Sequence, residues 1–242
     1  MNETPLPLYY KVYNKIKTQI NNDEYKKGEK LPTEKELCDI CNVSRLTVRR
    51  ALDELQREGL IDRKKGKGTF FTGKKREEKL SGLSSFTDEA IKEGDNTSSI
   101  VLENKLVTVE PEFIDVFDLP KEAKVVMLKR IRYLNDEAYA IETAYLNPSA
   151  DLRVLNIIEH DMAKESLYKI LKEEFELKLS HAEETLEITA LEKEEAEYLR
   201  QEKNSPAALR SRYTYLEDGS CIEHVKSVYR GDKYKFKVVR EV

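Results

Sequence analysis

The chain has 242 residues, 39% hydrophobic and 36% charged, with a net charge of −4, three cysteines and three histidines. That is room for one large or two ordinary domains, each with a buried core. No run of about 18 apolar residues occurs, so no membrane span is expected. "MNETPLPLYYKVY" lacks the basic-then-apolar order of a signal peptide, and the expected location is the cytoplasm.

The net charge conceals a division. Residues 1–75 carry 17 Lys+Arg against 11 Asp+Glu, a balance of +6, and the remainder carries 25 against 35, a balance of −10. A basic head on an acidic body points to a polyanionic partner for the head alone.

In chain order, residues 8–22 repeat apolar groups at Leu8, Val12, Ile16 and Ile20, which predicts an amphipathic helix. Gly28 and Pro32 break it. Thr33 and Glu36 form a T-x-x-E capping box for a second helix that runs to about Cys41. Asn42 marks a turn. Ser44 can cap a third helix with the apolar stripe Val48, Leu52, Leu55, and Gly59 ends it. "LIDRKK" and "KGTFF" are expected to pair around Gly66 to Gly68 as a two-stranded wing. Two short helices joined by a tight turn, then a hairpin, predict a winged helix-turn-helix over residues 1–72.

Residues 73–82 are polar and charged and predict a linker. Residues 83–242 change pattern. Strand-like runs occur at Ser99–Val109, Val125–Leu134, Ala138–Leu146, Ala207–Leu216, Cys221–Tyr229 and Tyr234–Val239. Helical runs lie near Phe86–Glu93, Glu110–Phe117, Glu165–Glu174 and Lys193–Glu202. Asn135-Asp136 and Asp218-Gly219 signal hairpins. The fold class is therefore α+β, with a mostly antiparallel sheet carrying helices in the second domain.

Cys38 and Cys41 form a lone C-x-x-C inside a predicted helix. A zinc site would need a second pair or nearby histidines, and His160, His181 and His224 are far along the chain. The pair is expected to be two small core residues. No metal, cofactor or catalytic group is expected: no nucleophile triad or acid–base pair stands at recognisable spacing, and "GKG" lacks the P-loop pattern.

Arg45 and Arg49 are four apart and share a helical face, with Ser44 and Thr47 close to it. An α-helix fits the major groove, where arginine can bond guanine in a bidentate way. Lys35 starts the second helix, where helix-turn-helix proteins touch the backbone. Lys64, Lys65 and Lys67 on the wing would meet phosphates, and Gly66 lets the backbone approach closely. Double-stranded DNA is the partner this pattern predicts.

The run "LYYKVYNKIKTQI…YKKGEKLPTEKELCDICNVSRLTVRRALDELQREGLIDRKKGKGTFF" resembles the DNA-binding domain of the GntR family of bacterial transcription regulators. The resemblance implies a dimer on a palindromic operator, with Arg45 and Arg49 as chief readers and Thr47 and Gly66 assisting. Lys35 departs from the arginine usual at its position. It keeps the charge and loses the bidentate fork. "GLSSFTDEAIKEG", "MLKRIRYLNDEAYAIETAYL", "ESLYKIL" and "GSCIEHVKSVYRGDKYKFKV" resemble the ligand-binding domain of the HutC-type subfamily, called UTRA. That implies a chorismate-lyase-like fold used for effector binding and dimerisation.

Read without the family, Arg130 and Arg132 are two apart on a strand and share a face with Val126 and Leu128. Two arginines on a partly buried face need an anion. A three-residue loop, Asn135 to Glu137, would pair Arg130 with Glu142 across the hairpin, and a two-residue loop would turn Glu142 away. A structural Arg–Glu pair satisfies these residues equally well. Ser166 is either a plain helix cap or part of a phosphate site, and Glu223 is either a sugar-hydroxyl partner or a surface charge. The resemblance implies more. In amino-sugar-responsive members, positions matching Ser85, Phe86, Arg130, Arg132, Ser166 and Tyr168 surround a phosphate. Those matching Glu142 and Glu223 meet the sugar, and Tyr229 falls close by. The expected function is a homodimeric, cytoplasmic repressor released from its operator by a phosphorylated sugar or amino sugar. The competing expectations are the same build answering an organic acid or a non-phosphorylated sugar, or an enzyme of chorismate-lyase-like fold.

Overall fold

The computed structural model describes residues 6–73, 75–79 and 82–239. The chain divides into two compact units between Arg76 and Glu77, inside the stretch expected as linker.

The first unit holds α1 (Leu8–Asn21), α2 (Glu34–Cys41), α3 (Arg45–Arg57) and the antiparallel hairpin of β1 (Ile61–Lys64) and β2 (Gly68–Phe71). The apolar stripes read from the sequence, all but Leu8, which is exposed at the start of α1, meet in one core of Val12, Ile16, Ile20, Leu37, Val48, Leu52 and Leu55, closed by Ile61 and Phe71. Thr33 and Glu36 form the expected capping box on α2. Asn42 takes the left-handed conformation at φ 52° that turns the chain into α3, which Asn tolerates better than most residues. Gly59, at φ 72°, ends α3, and the next amide, of Leu60, donates back to the Leu55 carbonyl at 3.0 Å. Cys38 and Cys41 are free thiols packed on the edge of this core.

The second unit is built on a six-stranded antiparallel sheet in the order β4-β5-β6-β9-β8-β7. Its strands are β4 (Thr97–Thr108), β5 (Lys124–Leu134), β6 (Glu137–Leu146), β7 (Leu179–Ala190), β8 (Pro206–Leu216) and β9 (Cys221–Arg230). The main core lies on one face. There Val126, Leu128, Ala144 and Leu146 meet Ile157 of a 3-10 turn (Leu152–Glu159) and Leu167, Tyr168 and Leu171 of α6 (Leu167–Lys169), which continues as a π-helical turn to Glu174. Helix α4 (Phe86–Lys92) belongs to a neighbouring cluster with Leu134, Ala140 and Tyr229. Phe113, Phe117 of α5 (Ile114–Phe117) and α7 (Lys193–Leu199) belong to separate clusters.

Three elements were not expected from the sequence: β7, the 3-10 turn and β3 (Arg76–Lys79), which pairs with β10 (Tyr234–Lys237). β7 is an edge strand exposed along most of its length, Leu186 and Ile188 included, so its short alternation at Leu186, Ile188 and Ala190 marks no buried face. β3 occupies part of the expected linker, whose residues 74, 80 and 81 lie outside the described residues.

One local expectation fails in its premise and holds in its consequence. The β5–β6 turn is two residues long, since Leu134 pairs with Glu137. Asn135 and Asp136 both have positive φ, 48° and 63°, the signature of a type I′ turn. A two-residue turn alone would put Glu142 on the wrong face. Instead Tyr133 pairs with Ala138 and Arg132 with Ala140, so Tyr139 is an extra residue, a β-bulge, and the register shifts to bring Arg130 opposite Glu142. Deleting Tyr139 should therefore turn Glu142 off the face and leave two buried arginines unpaired. The expected loss of unfolding free energy is about 3–5 kcal/mol, measured by denaturant titration. An unchanged midpoint would contradict this account of the bulge.

Candidate functional site

The head presents its charged face through α3. Ser44 caps the helix, accepting from the Thr47 amide at 3.3 Å, and its hydroxyl lies 2.9 Å from the Thr47 hydroxyl. Arg45 and Arg49 are exposed. Among the described residues Arg45 has no partner, whereas Arg49 donates to Glu34 of α2 at 2.9 Å. The other Glu34 oxygen accepts from Arg63 of β1 at 2.7 Å, and Arg63 also reaches Asp53 at 2.6 Å. One carboxylate thus ties α2, α3 and the wing together. Lys35, Lys65, Gly66 and Lys67 are exposed. Gly66, at φ +74°, has open space where a Cβ would stand, so the requirement for glycine is backbone conformation.

In the second unit the expected effector residues converge. Ser85, Phe86, Arg130, Arg132, Glu142, Ser166, Tyr168 and Glu223 line one small cavity, together with Thr87, Leu167, Arg210, Arg212, Val225 and Ser227. Tyr229 stands behind the wall, accepting from Arg210 at 2.5 Å. Two groups organise the interior. Glu142 accepts from Arg130 and, at 3.0 Å, from Arg132, which also donates to the Thr87 hydroxyl at 3.0 Å and lies over the Phe86 ring at 4.5 Å. Glu223 accepts from Tyr168 at 2.8 Å and from Thr214 at 2.9 Å. Glu223 is a buried group, not a surface charge. Ser166 caps α6 through the Lys169 amide at 3.4 Å while its residue lines the cavity.

The two carboxyls differ electrostatically. Burial works to raise Glu142, but Arg132 and Arg130 outweigh it and hold the carboxyl at about 2. Burial raises Glu223 above the ordinary range, against Tyr168 and Arg212. Burial, then the neighbouring Arg132, lowers Arg130 to about 10. Four arginines against two glutamates leave the lining cationic, which suits an anion. The cavity measures about 30 Å³, room for little more than a water molecule. Thr87 and Ser166 also line an adjoining groove of about 530 Å³, so they stand at its mouth.

Comparison with known proteins agrees with both halves. Residues 8–71 match the family of bacterial regulatory proteins called gntR, and residues 92–235 match the UTRA domain. The chain belongs to the GntR family. It is a DNA-binding transcriptional repressor of the GntR/UTRA type, a class that binds operator DNA and small-molecule effectors. It is 34% identical to the HTH-type transcriptional repressor NagR of Bacillus subtilis (strain 168), over 97% of this chain and 95% of that one. It is 30% identical to a probable fructoselysine utilization operon transcriptional repressor of Escherichia coli (strain K12), over 92% and 89%. The crystal structure of PhnF from Mycobacterium smegmatis superposes with a TM-score of 0.68 at 26% identity, covering 96% of this chain and 99% of that one. Among the described residues no helix is long and apolar enough to cross a membrane, and no group of three metal-ligating side chains occurs.

The GntR/UTRA site has members that sequence reading passed over. Arg210 and Arg212 repeat on β8 the R-x-R spacing of Arg130 and Arg132 on β5. That repeated spacing was the available signal. Thr87 carried none, because a threonine inside a helix turn looks like any other.

Two measurements test these assignments. Arg45→Ala should weaken operator binding and relax base preference, while Lys65→Ala should weaken binding to all DNA and reduce the salt slope by about 1. Equal behaviour of the two would contradict the division of labour. The depressed Glu142 carboxyl contributes stability that is complete above its unfolded value of 4.5 and is lost as pH falls toward about 2. The stability gap between wild type and Glu142→Gln should therefore shrink by about 3 kcal/mol across that window. A gap independent of pH would show that Glu142 is not held ionised by the arginines.

Proposed function

We propose that this protein is a dimeric repressor released from a palindromic operator by a phosphorylated sugar or amino sugar bound in the arginine-lined cavity. The observation that carries the reading is the convergence of two R-x-R pairs with Glu142 and Glu223 in one buried pocket. Guanidinium groups match phosphate geometry bidentately. Two carboxyls match what a sugar offers: the ionised Glu142 suits an ammonium or a hydroxyl donor, and Glu223, which accepts from two hydroxyls, suits a sugar hydroxyl in their place. One similar repressor is named for a fructoselysine utilization operon, which favours a sugar-derived ligand here.

The cavity is too small for a hexose as it stands, so binding opens the Arg–Glu and Tyr–Glu pairs and exchanges them for ligand contacts. Entry runs past Thr87 and Ser166, which face both cavity and groove. The opening is transmitted through residues 73–82 to the two heads, which then no longer match the half-site spacing.

The test is a melting-temperature screen of the full chain with sugars, phosphosugars and small acids. A ligand at about 100 times its Kd should add roughly 2.7 kcal/mol. The expected result is a shift with glucosamine 6-phosphate or a close relative, and none with free phosphate at the same concentration. Arg130→Ala and Arg132→Ala should each lose about 1.5–3 kcal/mol of that binding, measured by calorimetry on variants first shown to melt cooperatively. A shift with an organic acid and with no phosphosugar would overturn the reading.

A further inference from the structure

The second arginine pair binds the cavity to the segment that leads back to the head. Arg210 and Arg212 both line the cavity, yet their strongest partners lie outside it. Arg210 pairs with Glu78 of β3. Arg212 pairs with Glu184 of β7 and donates to the Ser84 carbonyl at 3.1 Å and to Tyr168 at 3.4 Å. The two guanidiniums therefore hold residues 78 and 84, the two ends of the segment that runs from β3 to α4. Glu78 stands just past the division between the units.

The Arg210–Glu78 pair is poorly satisfied for its depth. Its side chains are 6% and 2% exposed. Among the described residues Glu78 Oε2 and Arg210 Nε have no hydrogen-bond partner, and burial raises the Glu78 carboxyl above its ordinary range despite the arginine. Buried pairs of this kind are costly to keep, and their balance is easily tipped by a better partner. That pair ties β3 to β8; β3 is held to β10 by the hydrogen bonds of their two-stranded sheet and by contacts of Glu77 with Lys235 at 2.9 Å and Lys237 at 2.7 Å, the latter exposed and of the sort that contributes little.

We propose that Arg210 is a ligand of the effector's anionic group, and that the effector releases β3 by competing with Glu78 for that guanidinium. This rests on the phosphosugar reading above and adds to it the route by which the cavity reaches the head. A guanidinium can serve two anions, as Arg63 serves Glu34 and Asp53. The competition is therefore for the Nη1 edge of Arg210 that Glu78 now holds, and an effector anion seated on that edge excludes Glu78. Arg212, which lines the same cavity and grips Ser84, would let go of the other end of the segment in the same event. The coupling is reciprocal: whatever stabilises the Glu78–Arg210 pair favours operator binding and disfavours the effector.

The experiment uses the full chain with glucosamine 6-phosphate as probe and begins with the melting shift of wild type. No shift with any phosphosugar removes the reading and this inference together. Given a shift, hydrogen exchange of wild type should show the amides of β3 and β10 exchanging faster with probe than without. Unchanged or slower exchange there overturns the inference alone. Glu78→Gln should bind the probe about tenfold tighter, and its operator affinity, already weakened, should respond to the probe less than twofold, against a response of about tenfold or more in wild type. Glu77→Gln loses the same charge from the same strand without facing Arg210, and it should keep wild-type probe affinity. Equal affinities of wild type and Glu78→Gln, or equal tightening in Glu77→Gln, overturn the proposal. If Glu78→Gln does not fold, the exchange result on wild type decides.

Discussion

Burying four arginines around one small cavity is the constraint on which the second unit depends. Arg130, Arg132, Arg210 and Arg212 are each 5% exposed or less as residues, and an uncompensated charge at that depth would cost more than the domain's whole margin of stability. The sheet order supplies the compensation. Across β5-β6-β9-β8 the inner face reads arginines, Glu142, Glu223, arginines. The carboxylates occupy the two middle strands and the cations flank them. The β5 pair shares Glu142, a neighbour by register. The β8 pair lies on the far side, beside Glu223, and has to find further anions in β3 and β7.

That arrangement also sets the charge of the two carboxyls in the middle of the sheet. A single carboxylate serving two guanidiniums is held ionised, while burial raises the other against two hydroxyl donors that favour its charged form. The chemistry of the pocket follows from which strand lies beside which, because neighbouring strands place opposed side chains about 5 Å apart on one face.

The head obeys a simpler logic. Its helices and wing are joined by an apolar core that the sequence announces residue by residue, and by Glu34, which links Arg49 to Arg63. Helix α3 is presented with its cap in place and, among the described residues, with Arg45 unengaged. Its positive face owes nothing to the acidic second unit, whose charge would be repelled by DNA and would keep that part off it.

What the sequence by itself determined was everything carried by local periodicity and capping: the three helices of the head, the wing, the two arginines exposed along α3, and most strands of the sheet. These rest on spacing of 3.6 or 2 along the chain and on residues such as Thr33, Ser44 and Gly59 whose conformational preferences act within one turn. It also brought Arg130 and Glu142 together as one of two possible registers. Only the tertiary structure decided which. The two-residue turn argued for one answer, and the bulge at Tyr139 imposed the other, because burying the Arg–Glu pair outweighs the local preference for an unbroken ladder. β7 and β3 were invisible for a related reason. The short charged strand β3 carries no apolar alternation, the edge strand β7 carries it only at Leu186, Ile188 and Ala190, and both are strands because β10 and β8 offer them partners. The same holds for the role of Arg210. Its spacing was legible, but its partner Glu78 lies far away in sequence, and only folding brings the two within reach.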